Sequence, residues 1–385
     1  MSKTKKDTTQ SHGSANGDSP ANTNDLTLHS RGNLTNILGL DHQTDKPAMK
    51  GFDPKFRDIV DYIIKITHEI WEERAVGTLY DYYATAMIIH TSDGDIVGRD
   101  KVIEGTIQTL AAYPDRRLYG DEVIWSGNDE DGWFSSHRLI HEGHNWGPSI
   151  YGPATGKKVT YRAIADCAVK NNVIYEEWLV RDELALISQL GLNGFEVAKH
   201  LAAKDQRSGP SIIVPSETDR LRGQKPPKAP APFSSENFTV EQLVKTSIHE
   251  IWNWRMFNKV ADYYTENYIC EGASGRHLYG QNAYVNYILS LMAPFPDLSI
   301  QVDHHCSLQQ DERTHRSATR WTMRGTHKGP GIYGEPTGKQ IEIMGVTHHL
   351  IVDGKFAQEW TVFDELVLLK QIANPTRIDD YSAPF

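Results

Sequence analysis

The stretch Glu176-Glu177-Trp178-Leu179-Val180-Arg181-Asp182-Glu183-Leu184 returns as Gln358-Glu359-Trp360-Thr361-Val362-Phe363-Asp364-Glu365-Leu366. Tryptophan and aspartate keep one offset between the copies, since 360 − 178 and 364 − 182 are both 182. Each copy follows a polar turn, Lys170-Asn171-Asn172 or Asp353-Gly354-Lys355, and runs into an apolar, helix-like end. One module is therefore present twice.

The repeat extends outward from this stretch. His68-Glu69-Ile70-Trp71 matches His249-Glu250-Ile251-Trp252, and Asp81-Tyr82-Tyr83 matches Asp262-Tyr263-Tyr264, both at an offset of 181. After one inserted residue the offset becomes 182. Pro114-Asp115 then pairs with Pro296-Asp297, Arg138 with Arg320, and Ile150-Tyr151-Gly152 with Ile332-Tyr333-Gly334.

The chain divides accordingly. Residues 1–50 are polar, and their short apolar patch Leu34–Leu40 cannot offset the entropy of ordering them, so disorder is expected. The first module covers 51–202, a Pro-rich linker 203–237, the second module 238–373 and a tail 374–385. In the first module Asp53-Pro54 signals a helix start, and Phe56, Ile59, Ile63, Ile66 and Ile70 follow at helical spacing. A short helix over Val76–Tyr83, a strand over Ala86–His90 and a helix over Asp100–Ala111 come next. Four strands close the module: Arg117–Trp125, Trp133–Glu142, Lys158–Val169 and Val173–Arg181. The class is α+β, an antiparallel sheet wrapped over helices.

The totals exclude several functions. Hydrophobic residues make up 39% and charged residues 23%, enough apolar mass for packed cores. A formal net charge of −10 argues against nucleic acid or an anionic membrane as partner. No run reaches the ~18 apolar residues of a membrane span, and the N-terminus lacks a secretory apolar region, so a cytoplasmic protein is expected. Cys167, Cys270 and Cys306 have no metal or disulfide spacing and read as small buried hydrophobes.

The module resembles the SnoaL-like polyketide cyclases of the NTF2-like superfamily. The resemblance rests on Gly325-Thr326-His327-Lys328-Gly329, Glu335-Pro336-Thr337-Gly338 and Glu359-Trp360 to Asp364 in the second copy. In the first it rests on Gly143-His144-Asn145-Trp146-Gly147, Thr155-Gly156, Glu177-Trp178 to Asp182 and Gln189-Leu190-Gly191. Asn145 stands where the motif has histidine, and Gln371-Ile372-Ala373 departs from the usual ending. The resemblance implies two tandem cones, each a curved sheet folded around a helix with a ligand in its mouth, packed as an internal pseudo-dimer with room for a further homodimer. It also implies a cofactor-independent cyclase, isomerase or lyase acting on a small enolisable carbonyl compound. The reading from another class is a non-catalytic small-molecule-binding or assembly module.

Candidate site residues follow from alternation along the last strand. Glu176, Trp178, Val180 and Asp182 share one face, as do Gln358, Trp360, Val362 and Asp364. The resemblance maps the family's acid/base aspartate to Asp182 and Asp364. A carboxyl against Trp178 or Trp360 is desolvated, which raises its pKa and suits proton abstraction beside a carbonyl. Each aspartate also stands where a helix N-cap belongs, just before Glu183 or Glu365. A partner acid/base is expected from His348 or His349, one of which must face the cone; the first module has Asp166 and Cys167 there. The aromatics Trp71, Tyr82, Trp252 and Tyr263, with His90 and His137, are read as pocket or core. His137 and His141 lie ~13 Å apart along one strand, too far to share a metal ion, so neither metal nor cofactor is expected.

Overall fold

A computed structural model describes residues 49–205 and 238–374. The expectations for the N-terminal segment, the linker and the tail fall outside the described residues, apart from a few at their edges.

The first module begins with helix α1 (Ile59–Thr67), capped by Asp58, whose side chain accepts Asp61 N at 2.9 Å. The cap lies five residues beyond the Asp53-Pro54 signal, because residues 49–56 form turns instead. Ile59, Ile63, Ile66 and Ile70 expose 3% or less, so each contributes about 1.5–3 kcal/mol of burial. A wide helical turn (His68–Glu72) follows, then α2 (Leu79–Tyr82), β1 (Tyr83–Thr91), β2 (Gly94–Val97) and α3 (Arg99–Ala112). Four long strands complete the sheet: β3 (Arg117–Asn128), β4 (Gly132–His144), β5 (Lys158–Lys170) and β6 (Val173–Arg181). Helices α4 (Glu183–Leu190) and α5 (Gly194–Lys204) end the module.

The second module repeats the order with α6 (Val240–Ser247), α7 (Val260–Tyr263), β7 (Tyr264–Glu271), β8 (His277–Tyr279) and α8 (Gln281–Met292). β9 (Ser299–Gln309), β10 (Thr314–Thr326), β11 (Gln340–Val352), β12 (Lys355–Phe363) and α9 (Glu365–Ala373) follow.

The sheets run β2-β1-β6-β5-β4-β3 and β8-β7-β12-β11-β10-β9. All neighbours are antiparallel except β1 with β6 and β7 with β12, which are parallel. The antiparallel sheet expected from sequence is thus mixed: the last strand returns beside the first and closes the curve. The turns before the last strands need left-handed backbone, supplied by Asn171 (φ 51°), Asn172 (φ 68°), Asp353 (φ 50°) and Gly354 (φ 73°).

The outer faces of the two sheets meet. Ile164 and Val180 pack with Val346 and Val362, their equivalents, in one buried cluster. The guanidinium of Arg138 lies 3.9 Å over the Trp360 ring, and that of Arg320 lies 3.8 Å over Trp178. These contacts are reciprocal. The polar ones beside them are not: Arg320 pairs with Asp166 at 3.2 Å, whereas Arg138 holds Asp121 and Glu122, each at 2.9 Å, and Glu122 also meets His348 at 3.0 Å.

Candidate functional site

Alternation along β12 decides which residues enter the second cone. Glu359, Thr361 and Phe363 line a cavity. Thr347 and His349 join them from β11, and Trp252, Tyr264, Tyr284, Tyr287, Trp321 and Phe356 form much of the wall. Trp321 lies across β11 because its partner there is Gly345, where a Cβ would fall 2.2 Å from the indole ring.

The polar centre of the cavity is Glu359. Its carboxylate accepts hydrogen bonds from Tyr268, from Tyr284 at 3.3 Å, from Thr361 at 2.8 Å and from the Cys270 thiol at 3.3 Å. His349 Nε2 lies 3.6 Å from Glu359 Oε2. Burial pushes the carboxyl up, but the contacts from His349, Tyr268 and Thr361 outweigh it and hold the pKa below its usual range. Burial also pushes the phenols of Tyr268, Tyr284 and Tyr287 well above theirs, which keeps them as O–H donors. Two buried polar atoms on this wall have no hydrogen-bond partner among the described residues: His349 Nδ1 and the Tyr287 hydroxyl. Each is open to a hydrogen bond from a ligand's polar group or from ordered water.

The first cone keeps the carboxylate, Trp71 and Tyr83 but changes most of the other lining positions. Glu177 accepts from the Tyr83 hydroxyl at 3.0 Å, and burial pushes its pKa up to about 7. Cys167 replaces His349 and packs with Met87 and Val102, which stand where the second module has Tyr268 and Tyr284. Leu139 replaces Trp321.

Several expected site residues lie elsewhere. Asp182 caps α4 through Ala185 N at 3.2 Å, and both its oxygens accept Ser274 N of the second module, at 2.9 and 2.8 Å. Asp364 caps α9 through Val367 N at 3.0 Å. Burial pushes Asp182 up to about 6 and Asp364 well above its usual range, the direction expected, but on the face turned away from the cone. Trp178 and Trp360 are on that outer face, under Arg320 and Arg138. His90 stacks on Trp178 at 5.3 Å and bridges Asp95 and Glu176, each at 2.9 Å.

His348 points outward as well, with Nε2 2.8 Å from Ser136 Oγ and Nδ1 3.0 Å from Glu122. The order Ser136–His348–Glu122 has the connectivity of a nucleophile–base–acid relay. Ser136 and His348 expose 0%, however, so the relay lies buried where the two modules meet.

Of the remaining residues, Trp252 lines the second cavity. Trp71 packs on the first core, and Tyr82 and Tyr263 bond Glu69 and Glu250 at 3.0 and 2.6 Å. His137 is buried on the cone face of β4. No group of three or more His, Cys, Asp or Glu side chains placed to hold a metal ion occurs among the described residues.

The family model of the SnoaL-like polyketide cyclases matches residues 62–190 and 242–372, well over half of the chain. The chain belongs to the SnoaL-like polyketide cyclase family. Solved structures similar to it include TsrD from Streptomyces laurentii, 21% identical over 37% of this chain and 99% of that one, with a TM-score of 0.31. A SnoaL-like polyketide cyclase from Agrobacterium tumefaciens is 18% identical over 35% of this chain and 98% of its own, with a TM-score of 0.29. A protein from Jannaschia sp. CCS1, described as a cyclase of this kind, is 18% identical over 38% and 99%, with a TM-score of 0.32. No curated protein matches the chain.

Within this SnoaL-like frame, sequence reasoning missed Glu359, Tyr268, Tyr284 and Tyr287. A signal for them existed. Tyr264 and Tyr268 share one face of β7, Tyr284 and Tyr287 share one face of α8, and Glu177/Glu359 repeats beside the tryptophan.

Proposed function

We propose that the second cone binds a flat, mostly apolar small molecule with an enolisable carbonyl and moves a proton beside that carbonyl without a cofactor, as a cyclase or isomerase. The observation that carries this reading is one buried His349–Glu359 pair in an aromatic cavity, with His349 Nδ1 left unpaired. In this mechanism His349 Nδ1 takes the proton next to the carbonyl. Glu359, kept ionised by its donors, stabilises the imidazolium that forms. The Tyr287 hydroxyl, also unpaired, donates to the carbonyl oxygen as it gains enolate charge. The aromatic walls hold the chain of the ligand folded, which lowers the entropy cost of ring closure. In the same reading the reciprocal inter-sheet contacts make the two modules an internal pseudo-dimer.

A second reading rests on one observation. Glu359 already accepts from four donors besides its contact with His349, which suits a fixed anchor in a pure binding module. Proton exchange separates the two. A panel of aromatic ketones is screened for a thermal shift, and binders are incubated in deuterated buffer with wild type and His349→Gln. Deuterium entering beside the carbonyl with wild type alone supports catalysis. Binding without exchange leaves a binding module.

A further inference from the structure

The first module carries a cationic cluster that the second lacks. It lies at one end of the sheet, where β3 begins, β4 ends, β5 begins and β6 ends. Tyr113 and Arg116 precede β3, His141 sits near the end of β4, Tyr161 near the start of β5, and Arg181 ends β6. His141 stacks on Tyr161 with ring centroids 4.8 Å apart, and Tyr113 packs in one cluster with Tyr161.

At the equivalent positions the second module has Phe295, Leu298, Met323, Ile343 and Phe363. Every one of the five is apolar, and Met323 and Phe363 line the second cavity. The fold therefore does not need polar side chains here. The first module keeps five, against the cost of burying them.

Three of them have a buried polar atom with no partner among the described residues: the Tyr113 hydroxyl, Arg116 Nε and His141 Nδ1. Tyr113 and His141 are each only 6% exposed. The acids nearby are occupied. Glu183 holds Arg181 Nε at 2.9 Å and the Tyr151 hydroxyl at 2.7 Å, and Asp115 holds His144 Nδ1 at 2.6 Å. Arg181 thus has Glu183, with Asp364 also acting on it, whereas Arg116 makes no ion pair among the described residues. Burial, then Arg116, Arg181 and His137, push His141 below its ordinary range, so it stands neutral with hydrogen-bonding capacity to spare. The Arg181 side chain, at the end of β6, is partly exposed at the edge of the cluster.

We propose that Tyr113, Arg116 and His141 form an anion site in the first module that takes the carboxylate of a small monocarboxylic acid. Arg116 supplies the charge, Tyr113 and His141 supply the neutral donors, and Tyr161 offers a flat face to the body of the acid. One unpaired positive charge matches one carboxylate and disfavours a dianion. The site stands apart from the second cone and does not depend on catalysis there.

The duplication supplies the test variants, since Arg116→Leu, His141→Met and Tyr113→Phe each install the residue the second module uses. Calorimetric titration of the full chain with acetate and benzoate, and with benzamide as the uncharged control, reads the site. Benzoate is expected to bind at least tenfold more tightly than benzamide. Arg116→Leu is expected to weaken benzoate by about ten- to a hundredfold, with an unchanged or higher melting temperature. His141→Met is expected to weaken benzoate as well, and it carries the test should Arg116→Leu fold poorly. His349→Gln, in the other cone, leaves benzoate affinity unchanged. The proposal falls if neither carboxylate binds wild type, if benzamide binds as well as benzoate, if binding survives both Arg116→Leu and His141→Met, or if His349→Gln abolishes it.

Discussion

Where the second cone places His349, Tyr268, Tyr284 and Trp321, the first places Cys167, Met87, Val102 and Leu139. Both modules keep the same strand order, a left-handed turn before the last strand and an aspartate helix cap after it. Backbone closure and inter-sheet packing thus constrain one set of residues, and chemistry draws on another. The cone-facing set is free to diverge, because an apolar and a polar lining both satisfy the sheet's hydrogen bonds. One cone became a cavity with a His–Glu pair, and the other filled its centre and gathered cations at one end.

The largest expected effect tests the chemical half of this contrast. His349→Gln is expected to lower turnover by about 10²–10⁴-fold, the contribution typical of a general base. Cys167→Ala, the matched change in the first cone, leaves turnover unchanged. Deuterium incorporation measured for both variants would break the comparison if the cysteine variant lost as much as the histidine one.

The next effect concerns the face the modules share. Glu122 is 3% exposed and accepts from Arg138 at 2.9 Å and from His348 at 3.0 Å, and its carboxyl is held down to about 2. Burial alone pushes it up, but Arg138 and His348 outweigh that. Glu122→Ala leaves His348 Nδ1 buried without its carboxylate and Arg138 with Asp121 alone, and is expected to cost about 3 kcal/mol in chemical denaturation.

Glu177 and Glu359 occupy the same position and titrate in opposite directions. Glu177 has a folded pKa of about 7, raised by burial. Between its ordinary value and about pH 7 the folded state keeps a proton that the unfolded state has released, so stability falls as pH rises through that window and levels off above it. Glu177→Gln removes this slope. The variant is expected to match wild type near pH 4 and to exceed it at pH 8 by on the order of 2 kcal/mol. Denaturation curves at the two pH values check it, and equal differences at both would refute the titration of Glu177.

Much of the fold was legible in sequence. The repeat offsets fixed two modules, β6 matches its expected span of Val173–Arg181, and the Asn-Asn and Asp-Gly turns lie where their left-handed conformations require. The orientation of the last strand was not legible. In a sheet with one wet face, polar residues mark the outside. Here the outer face is buried by the other module, so Trp178 and Leu179 both lie against protein and alternation does not tell inside from outside. The parallel closure of β1 on β6 was hidden for a related reason: strand pairing across the whole module leaves no local signal. Cap chemistry at Asp182 and Asp364 was legible, and it competed with the catalytic reading on the same two residues.

That competition sets the smallest and sharpest test. Asp182 holds Ala185 N and, with both oxygens, Ser274 N of the other module, whereas Asp364 holds Val367 N within its own. An N-cap replaced by alanine costs about 0.5–2 kcal/mol. Asp364→Ala is expected near the middle of that range and Asp182→Ala near its top, because the latter also frees a backbone N–H between modules. Both variants should exchange deuterium at the wild-type rate, since neither carboxylate lines the cavity. If Asp364→Ala kept its melting temperature but lost exchange, the last-strand aspartate would be the working acid/base after all. The pair His349–Glu359 would then be an anchor for the cavity wall, and the difference between the two cones would be one of ligand fit alone.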